Sequence, residues 1–329
     1  MTKRVRIKFT NGLSFESGVR EILNVVASGY EFIESDQPDF IIFGPYGSDI
    51  PIGAATRIGY YCENMMPDMS ECDWAFGVPY EDEVKDDRYR RIQWHGFEPA
   101  SLIKPEIDVE KIISGKTRFC NFLYSNPVPC REKFFEQLSK YKPIDAPGRS
   151  MNNMPTIDAC GHGDIWSRKR AFLSQYKFTI AFENYSRPGY NTEKLLDPMI
   201  ANSLPIYLGN PNISQHFNPK SFVNAHEYVP ERKSSIVREL DRRCLLTLRD
   251  RRRLKFNGFT NKMKRKLKAK GREIKMSLQY RDFEQLIEKI IEIDRNDDLY
   301  ARYLSEPWFH DNAPPPDDRV INRWRQIFG

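Results

Sequence analysis

The stretch KFTIAFENYSRPGYNTEK, residues 177–194, determines the predicted fold of this chain. It opens with an apolar run over residues 177–182, which is typical of a buried parallel strand. Pro188 and Gly189 then predict a loop, and Thr192 is a suitable N-cap for a helix that follows at once. A strand, a loop and a helix in this order are the basic unit of a parallel α/β sheet.

The same alternation of strands and helices extends from this stretch in both directions. Apolar runs predict strands over residues 4–9, 39–44, 57–62, 118–124 and 205–208. Apolar residues at helical spacing predict helices over residues 15–28 and 131–141. A new unit begins near residue 110, so the fold class is α/β with two consecutive units.

Three segments follow from this pattern. Residues 1–108 form a predicted N-terminal domain, and residues 109–294 form a predicted C-terminal domain. Residues 295–329 form predicted C-terminal helices, and the sequence leaves open whether these pack back on the N-terminal domain. The last helix is expected after the three prolines at 314–316.

Composition limits the class of protein. The chain has 329 residues, of which 40 % are hydrophobic and 13 % aromatic, so it can bury a substantial core. It contains no apolar run of about 18 residues, and we therefore expect no membrane-spanning helix. The six cysteines include no C-x-x-C pair, which argues against a zinc site. Because no secretion signal is recognisable, we expect reduced thiols and a cytoplasmic protein.

The start of the helix after Thr192 is a candidate anion site. Free backbone N–H groups at a helix N-terminus bind anions, and a lysine there is unfavourable for the helix itself. Lys194 in the first turn is explained if a diphosphate binds nearby, and Glu193 could then accept hydrogen bonds from ribose hydroxyls. The alternative is an ordinary capped connection with solvated charges. The segment at Ser114 lacks the first glycine of a phosphate-binding loop, because that position is Glu110.

Four motifs in fixed order resemble the signature block of the α1,3/α1,4-fucosyltransferases. They are FEN at 182–184, GYNTEK at 189–194, LPIYLG at 204–209 and FNPKSFVN at 217–224. Weaker similarity extends to YSNP at 124–127, to Arg131 and to YCEN at 61–64. The resemblance is to the bacterial type of this family, without the membrane stem of the animal members.

This resemblance implies a GT-B-like fold, in which two Rossmann-like domains face each other across a cleft. It implies that the first domain, residues 1–108, binds the acceptor and that the second, residues 109–294, binds GDP-fucose. It implies Glu63 as the catalytic base. The residues that it implies for GDP-fucose binding are Arg131, Asn184, Tyr190, Glu193 and Lys194. Further expected cleft residues are Asn126, Arg149, Glu183 and Asn191.

The resemblance also implies the reaction, an inverting transfer of L-fucose from GDP-β-L-fucose. The expected acceptor is an N-acetylglucosamine-containing glycan of the N-acetyllactosamine type, modified in α1,3 linkage as in Lewis antigens. Cationic side chains of the protein reduce the need for a metal ion, so we expect no required cofactor. Whether a divalent metal stimulates the reaction stays open. Transfer to O4 and use of a different GDP-sugar, such as GDP-mannose, stay open as well.

A basic segment begins at Arg249 and ends at Lys275, with 13 Lys or Arg and two acidic residues. The overall net charge is only +6, so the basic excess is local. An anionic membrane surface is the first interpretation, because each basic residue near it contributes about 1 kcal/mol. That would place the enzyme at the inner face of the membrane, with lipid-linked glycans as acceptors. The second interpretation is a solvated helix face. The third is a nucleic-acid-binding protein, which is disfavoured because few aromatic residues are interleaved with the charges.

Overall fold

The computed structural model describes residues 2–46, 51, 53–93, 95–97, 99–157, 164–244, 258–315 and 318–329. Side chains of residues 258–262 and 265 are not described. Two parallel sheets organise the chain, one before and one after residue 110, as predicted. Five cysteines are described, and all five are free thiols; Cys160 lies outside the described residues.

The first sheet has six strands in the order β2-β1-β3-β4-β5-β6, and every pair is parallel. The strands are β1 Lys3–Thr10, β2 Tyr30–Glu34, β3 Phe40–Phe43, β4 Thr56–Tyr61, β5 Trp74–Gly77 and β6 Tyr89–Arg91. In β1, Val5, Ile7 and Phe9 are buried, whereas the basic residues between them are exposed or half-buried. This alternation gives the strand one core-facing side.

The second sheet has five strands in the order β11-β10-β9-β7-β8, again all parallel. The strands are β7 Arg118–Asn121, β8 Ile144–Asp145, β9 Tyr176–Phe182, β10 Leu204–Leu208 and β11 Val223–Asn224. All five residues of β10, and all but one of the seven in β9, are buried. Continuous apolar runs are expected where both faces of a parallel sheet are covered.

Helices cover the two sheets and form the C-terminal tail. They are α1 Phe15–Glu21, α2 Glu81–Val84, α3 Val109–Ser114, α4 Pro129–Leu138, α5 Ile165–Leu173, α6 Glu193–Ile200, α7 Ser235–Cys244, α8 Gly258–Gln279, α9 Glu284–Arg295, α10 Asp297–Ser305 and α11 Asp318–Phe328. The helix predicted over residues 15–28 ends at Glu21, and a separate 3-10 helix covers Asn24–Gly29. Asn24 is a poor helix former, which is consistent with a break there.

The C-terminal helices are divided between the two cores. Tyr300 and Leu304 of α10 lie in the core of the second sheet, together with the apolar face of α9. Trp324 of α11 lies in the core of the first sheet and stacks on Phe76, with ring centroids 4.2 Å apart. Of the C-terminal helices predicted over residues 295–329, α10 thus packs in the core of the second sheet and α11 in the core of the first.

Candidate donor site and the opposing carboxylate

The loop between β9 and α6 is fixed by a fully buried carboxylate. Glu183 accepts hydrogen bonds from the backbone N–H and the hydroxyl of Thr192, both at 2.9 Å. Thr192 is the N-cap of α6, as predicted, and its side-chain oxygen accepts from the N–H of Lys194. Glu183 thus holds Thr192 at the start of the helix, and its role as a cleft residue stays a prediction.

Lys194 lies among carboxylates. Its Nζ is 3.0 Å from Glu193 and 3.5 Å from Glu183. Burial lowers the pKa of Lys194, but the charges of Glu183 and Glu193 outweigh this effect and raise it. Burial raises the pKa of Glu193, but the charges of Lys194 and Lys169 outweigh it and lower the value to about 2. Lys194 and Glu193 are therefore both charged at neutral pH.

Arg131 lies at the start of α4, next to the loop. It is only 1 % exposed, and its guanidinium carbon lies 4.0 Å from the centroid of the Tyr124 ring. One of its terminal nitrogens donates to the side-chain oxygen of Asn184, which is itself exposed. Within the described part of the chain, the buried Nε–H of Arg131 has no hydrogen-bond partner. A buried, unpaired donor on a cation is suited to binding an anion.

Tyr190 and Asn191 continue the loop from Gly189. Tyr190 is buried, and burial, reinforced by the charges of Glu183 and Glu63, raises its pKa. Asn191 is half-buried.

Asn126 and Arg149 are exposed, in the segments that follow β7 and β8. The loop with Arg149 lies against the segment after β7, where the N–H of Ser150 donates to the carbonyl of Tyr124 at 3.0 Å. A Cβ added at Gly148 would lie 2.2 Å from the same carbonyl oxygen. Only glycine permits this approach without a backbone shift, so Gly148 lets the Arg149 loop lie directly against the backbone of Tyr124.

Glu63 follows β4, at the carboxyl end of a parallel strand. This edge is where ligands bind in open α/β sheets. Glu63 is half-buried and accepts a hydrogen bond from the hydroxyl of Tyr46. It belongs to the first sheet, whereas the GDP-site candidates belong to the second. In the second half of the chain, Asn184 contacts Arg131 and Glu193 contacts Lys194, whereas Glu63 lies in the first half.

Two arginines join the loops of the two sheets, and the sequence interpretation missed both. Arg187 contacts Asn64 and Glu83 in the first half of the chain. Arg91 donates 2.9 Å to the carbonyl of Gly189. Their partners lie about a hundred residues away in sequence, so no local motif could have indicated them.

Two family models match the chain. One, described as glycosyltransferase family 10 (fucosyltransferase) C-term, matches residues 113–244. The other, described as the alpha-(1,3)-fucosyltransferase FucT N-terminal domain, matches residues 7–97. Together they cover well over half of the chain. The chain belongs to glycosyltransferase family 10. The family-10 C-terminal match includes every candidate of the donor site, and the N-terminal match includes Glu63.

Curated relatives match parts of this family-10 chain. One relative is a protein of Acanthamoeba polyphaga mimivirus that is named provisionally as a fucosyltransferase. This chain is 41 % identical to it over 123 residues, which are 36 % of this chain and 20 % of that protein. It is 40 % identical over 114 residues to alpha-(1,3)-fucosyltransferase FucT of Helicobacter pylori, covering 34 % of this chain and 22 % of that one. The matches thus span about a fifth of the length of these relatives.

Solved structures share the fold. A crystal structure of alpha1,3-fucosyltransferase superposes with a TM-score of 0.64 at 19 % identity, covering 99 % of this chain and 90 % of that chain. A crystal structure of alpha1,3-fucosyltransferase with GDP-fucose superposes with a TM-score of 0.63 at 21 % identity, covering 100 % of this chain and 91 % of that chain. The expected fold, two Rossmann-like domains across a cleft, is confirmed.

The described residues bring together no three His, Cys, Asp or Glu side chains that could hold a metal ion. The same part of the family-10 chain contains no helix long and apolar enough to cross a membrane.

Proposed function

We propose that this chain transfers L-fucose from GDP-β-L-fucose to a glycan hydroxyl, with inversion at the sugar carbon. The observation that carries the proposal is a pair of cations at the loop between β9 and α6. Arg131, with its unpaired buried N–H, contacts Asn184 of this loop, and Lys194 lies in the first turn of α6. Family membership supports the reaction class. The solved structure of an alpha1,3-fucosyltransferase with GDP-fucose, which has the same fold, supports the donor.

In this proposal Arg131 and Lys194 bind the diphosphate. As the bond to fucose breaks, negative charge grows on the departing phosphate oxygen, and two fixed cations in a water-poor site stabilise it. Asn184 and Tyr190 contribute further contacts to GDP. Glu193 stays ionised because its pKa is about 2, so it can accept hydrogen bonds from ribose hydroxyls. No resident metal is required for this charge stabilisation, and we expect activity to persist in EDTA, with or without stimulation by a divalent cation.

Glu63 is the proposed general base. Its carboxylate takes the proton from the acceptor hydroxyl while that oxygen forms a bond to the fucose C1. At the same time the bond between C1 and the phosphate oxygen breaks, and GDP leaves with the electron pair. A single displacement of this kind converts a β-linked donor into an α-linked product. The hydroxyl of Tyr46 donates to Glu63 and orients it.

The proposed acceptor is an N-acetylglucosamine-containing glycan of the N-acetyllactosamine type, fucosylated in α1,3 linkage to give a Lewis-type product. The name of the Helicobacter pylori relative supports this linkage. The main alternative within the same reaction class is a different GDP-sugar, because the proposed contacts are with GDP and not with the sugar.

We further propose that the chain works at the cytoplasmic face of an anionic membrane, on lipid-linked glycans. The support is one face of α8, where Met263, Leu267 and Ile274 are 49 %, 65 % and 43 % exposed. Exposed lysines flank them at 264, 266 and 270. Basic helices with an exposed apolar side bind membrane surfaces. Lys275 is outside this face, because it is buried and bonded to Asp241 and Tyr185; residues 249–257 lie outside the described residues.

A transfer assay by mass spectrometry tests the proposal. The purified chain is mixed with GDP-fucose or GDP-mannose and with N-acetyllactosamine, lactose and galactose. We expect a deoxyhexose gain on N-acetyllactosamine, only with GDP-fucose, and NMR of the product should show an α1,3 linkage. A hexose gain from GDP-mannose would replace the donor assignment. Absence of both transfer and GDP binding would refute the proposal, and salt-sensitive RNA binding would then favour a nucleic-acid-binding protein.

A further inference from the structure

A cavity of about 380 Å³ lies along β6, the edge strand of the first sheet. Its walls belong to α2, β6 and α11, and its volume is within the range of small-molecule sites in proteins. Neither Glu63 nor any candidate donor residue lines it, so it is separate from the proposed reaction site. The described side chains that line it are all polar or charged: Glu81, Arg90, Arg319, Asn322, Arg323 and Gln326.

One side of α11 supplies four of these wall residues. They lie at positions 319, 322, 323 and 326, and this spacing of i, i+3, i+4 and i+7 places them on one face of the helix. The opposite face of α11 is apolar and packs in the core of the first sheet through Val320, Trp324 and Ile327. This packing holds the polar face beside β6, where Arg90 completes a set of three arginines.

Arg323 is the buried cation of this cavity. It is 5 % exposed, and its guanidinium carbon lies 4.6 Å from the centroid of the Trp74 ring. Its Nη2 donates to the carbonyl of Asp87 at 2.7 Å, whereas its buried Nη1 has no hydrogen-bond partner in the described part of the chain. A buried donor that is left unpaired costs free energy. A ligand with acceptor oxygens in the cavity would satisfy it.

The positive charge of the cavity exceeds its negative charge. Glu81 is the one acid among the six described wall residues, and it pairs with Arg319 at 3.5 Å. Arg90 donates to two backbone carbonyls, which carry no net charge. Burial and the charge of Arg90 lower the pKa of Arg323, and the charge of Asp87 offsets this only in part. Because arginine stays protonated at neutral pH, a bound anion would stabilise two cations that repel each other.

Solvation of surface charges does not account for this arrangement. Arg319 is exposed and Arg90 is half-buried, and charges on an edge strand also prevent its pairing with another chain. Arg323 differs, because it is buried against an indole and a backbone carbonyl and not against a carboxylate. Burying a cation in such surroundings is unfavourable unless a negative group pairs with it.

We propose that this cavity binds a phosphate ester, carried either by a soluble molecule or by the headgroup of a lipid. Guanidinium groups bind phosphate oxygens through two N–H groups at once. Three guanidinium groups suit a phosphate better than a carboxylate, because the phosphate presents more free oxygens. The side-chain amides of Asn322 and Gln326 supply further donors. The proposal does not depend on fucosyl transfer, because the cavity shares no residue with the proposed donor site.

The test measures phosphate binding separately from GDP binding. Glycerol 3-phosphate is the probe, and its binding is followed by phosphorus NMR at constant ionic strength with saturating GDP. The variants are Arg323→Gln, Arg319→Gln and Glu81→Gln. Arg325→Gln is the matched control, because Arg325 is exposed on the same helix and does not line the cavity. Arg319 is exposed, so its variant serves if Arg323→Gln folds poorly by circular dichroism.

We expect Arg323→Gln to weaken binding of glycerol 3-phosphate about tenfold or more, because charge-assisted hydrogen bonds to the phosphate are lost. Arg319→Gln should weaken it about threefold, and Glu81→Gln should strengthen it about threefold, because a carboxylate that repels the phosphate is removed. Arg325→Gln should match the parent, and the Kd of GDP should be unchanged in all four variants.

Unchanged affinity in every folded arginine variant of the cavity would overturn the proposal. An equal loss in Arg325→Gln would also overturn it, because binding would then follow net charge and not the cavity. If GDP does not bind to the parent, the proposed donor site fails, and the same variants decide the phosphate site without GDP.

A second probe identifies the source of the phosphate. Dihexanoyl phosphatidic acid carries the same phosphate ester on a lipid that is soluble below its micelle concentration. If it binds about tenfold more tightly than glycerol 3-phosphate, and if Arg323→Gln removes that binding, the ligand is a lipid headgroup. Comparable affinities of the two probes would assign the cavity to a soluble phosphate ester. A parent that binds neither probe would overturn the proposal.

Discussion

Arg187 donates a hydrogen bond of 3.2 Å to the side-chain oxygen of Asn64, the residue next to Glu63. It is only 8 % exposed, its guanidinium also pairs with Glu83, and it lies 3.1 Å from the sulfur of Met66. The residues on the C-terminal side of the proposed base are thus tied to the loop that carries Asn184 and Tyr190. In the proposed mechanism, this contact would hold the proposed base against the loop of the proposed donor site.

Replacing Arg187 by methionine should therefore reduce turnover without removing donor binding. A displacement of about 1 Å between reacting groups can cost about a hundredfold in rate. We expect kcat to fall about 10- to 100-fold and the Kd of GDP to stay within threefold, measured by steady-state kinetics and isothermal titration. Arg4→Met is the matched control, because the Arg4–Glu31 pair is exposed and far from the loop. A GDP affinity that falls in parallel with kcat would show that Arg187 acts on the donor instead.

Glu63→Gln tests the base directly. The amide keeps the shape of the side chain and can still accept from Tyr46, but it cannot take a proton, so kcat should fall by about 10² to 10⁴. GDP binding should be unchanged because Glu63 belongs to the other half of the chain. Glu31→Gln, at an exposed position of β2, is the control and should retain full activity. Normal transfer by the Glu63→Gln variant would assign the base to another residue.

The fold and the conformation of the loop between β9 and α6 could be predicted because their signals are local. The apolar runs of β9 and β10, the cap at Thr192 and the start of α6 all lie within about thirty residues. The short strands β2 and β8 could not be predicted in this way, because β2 is largely exposed and β8 has two residues. The roles of Arg187 and Arg91 depend on partners across the domain junction, and only the folded chain brings those together.

Glu193 should make stability depend on pH in the acid range. Its pKa falls from an ordinary 4.5 to about 2 in the folded chain. A lowered carboxyl pKa contributes stability that is fully present above about pH 4.5 and is lost as the pH falls towards 2. We therefore expect the stability difference between the parent and Glu193→Gln to be constant from pH 7 to pH 5 and to shrink below pH 4.5. Urea unfolding followed by circular dichroism at pH 7, 5, 4 and 3 measures it. A difference that grows on acidification would contradict the assignment.

The exposed face of α8 makes the membrane proposal testable with a single charge. Leu267 is the most exposed of its three large apolar residues, at 65 %. Leu267→Glu places a carboxylate where the helix would enter the lipid headgroup region, and it also removes apolar area from contact. Ile165→Glu is the control, because Ile165 is also exposed but lies at the start of α5, away from the basic segment. Sedimentation with vesicles of one-third phosphatidylglycerol and two-thirds phosphatidylcholine should show that the parent and Ile165→Glu bind. Leu267→Glu should bind at least fivefold more weakly.

Binding of the parent should also weaken as salt rises from 50 to 300 mM, because the lysines at 264, 266 and 270 attract the anionic surface. Equal binding of all three proteins would mean that α8 does not contact the membrane, and it would leave the lysines as a solvated helix face.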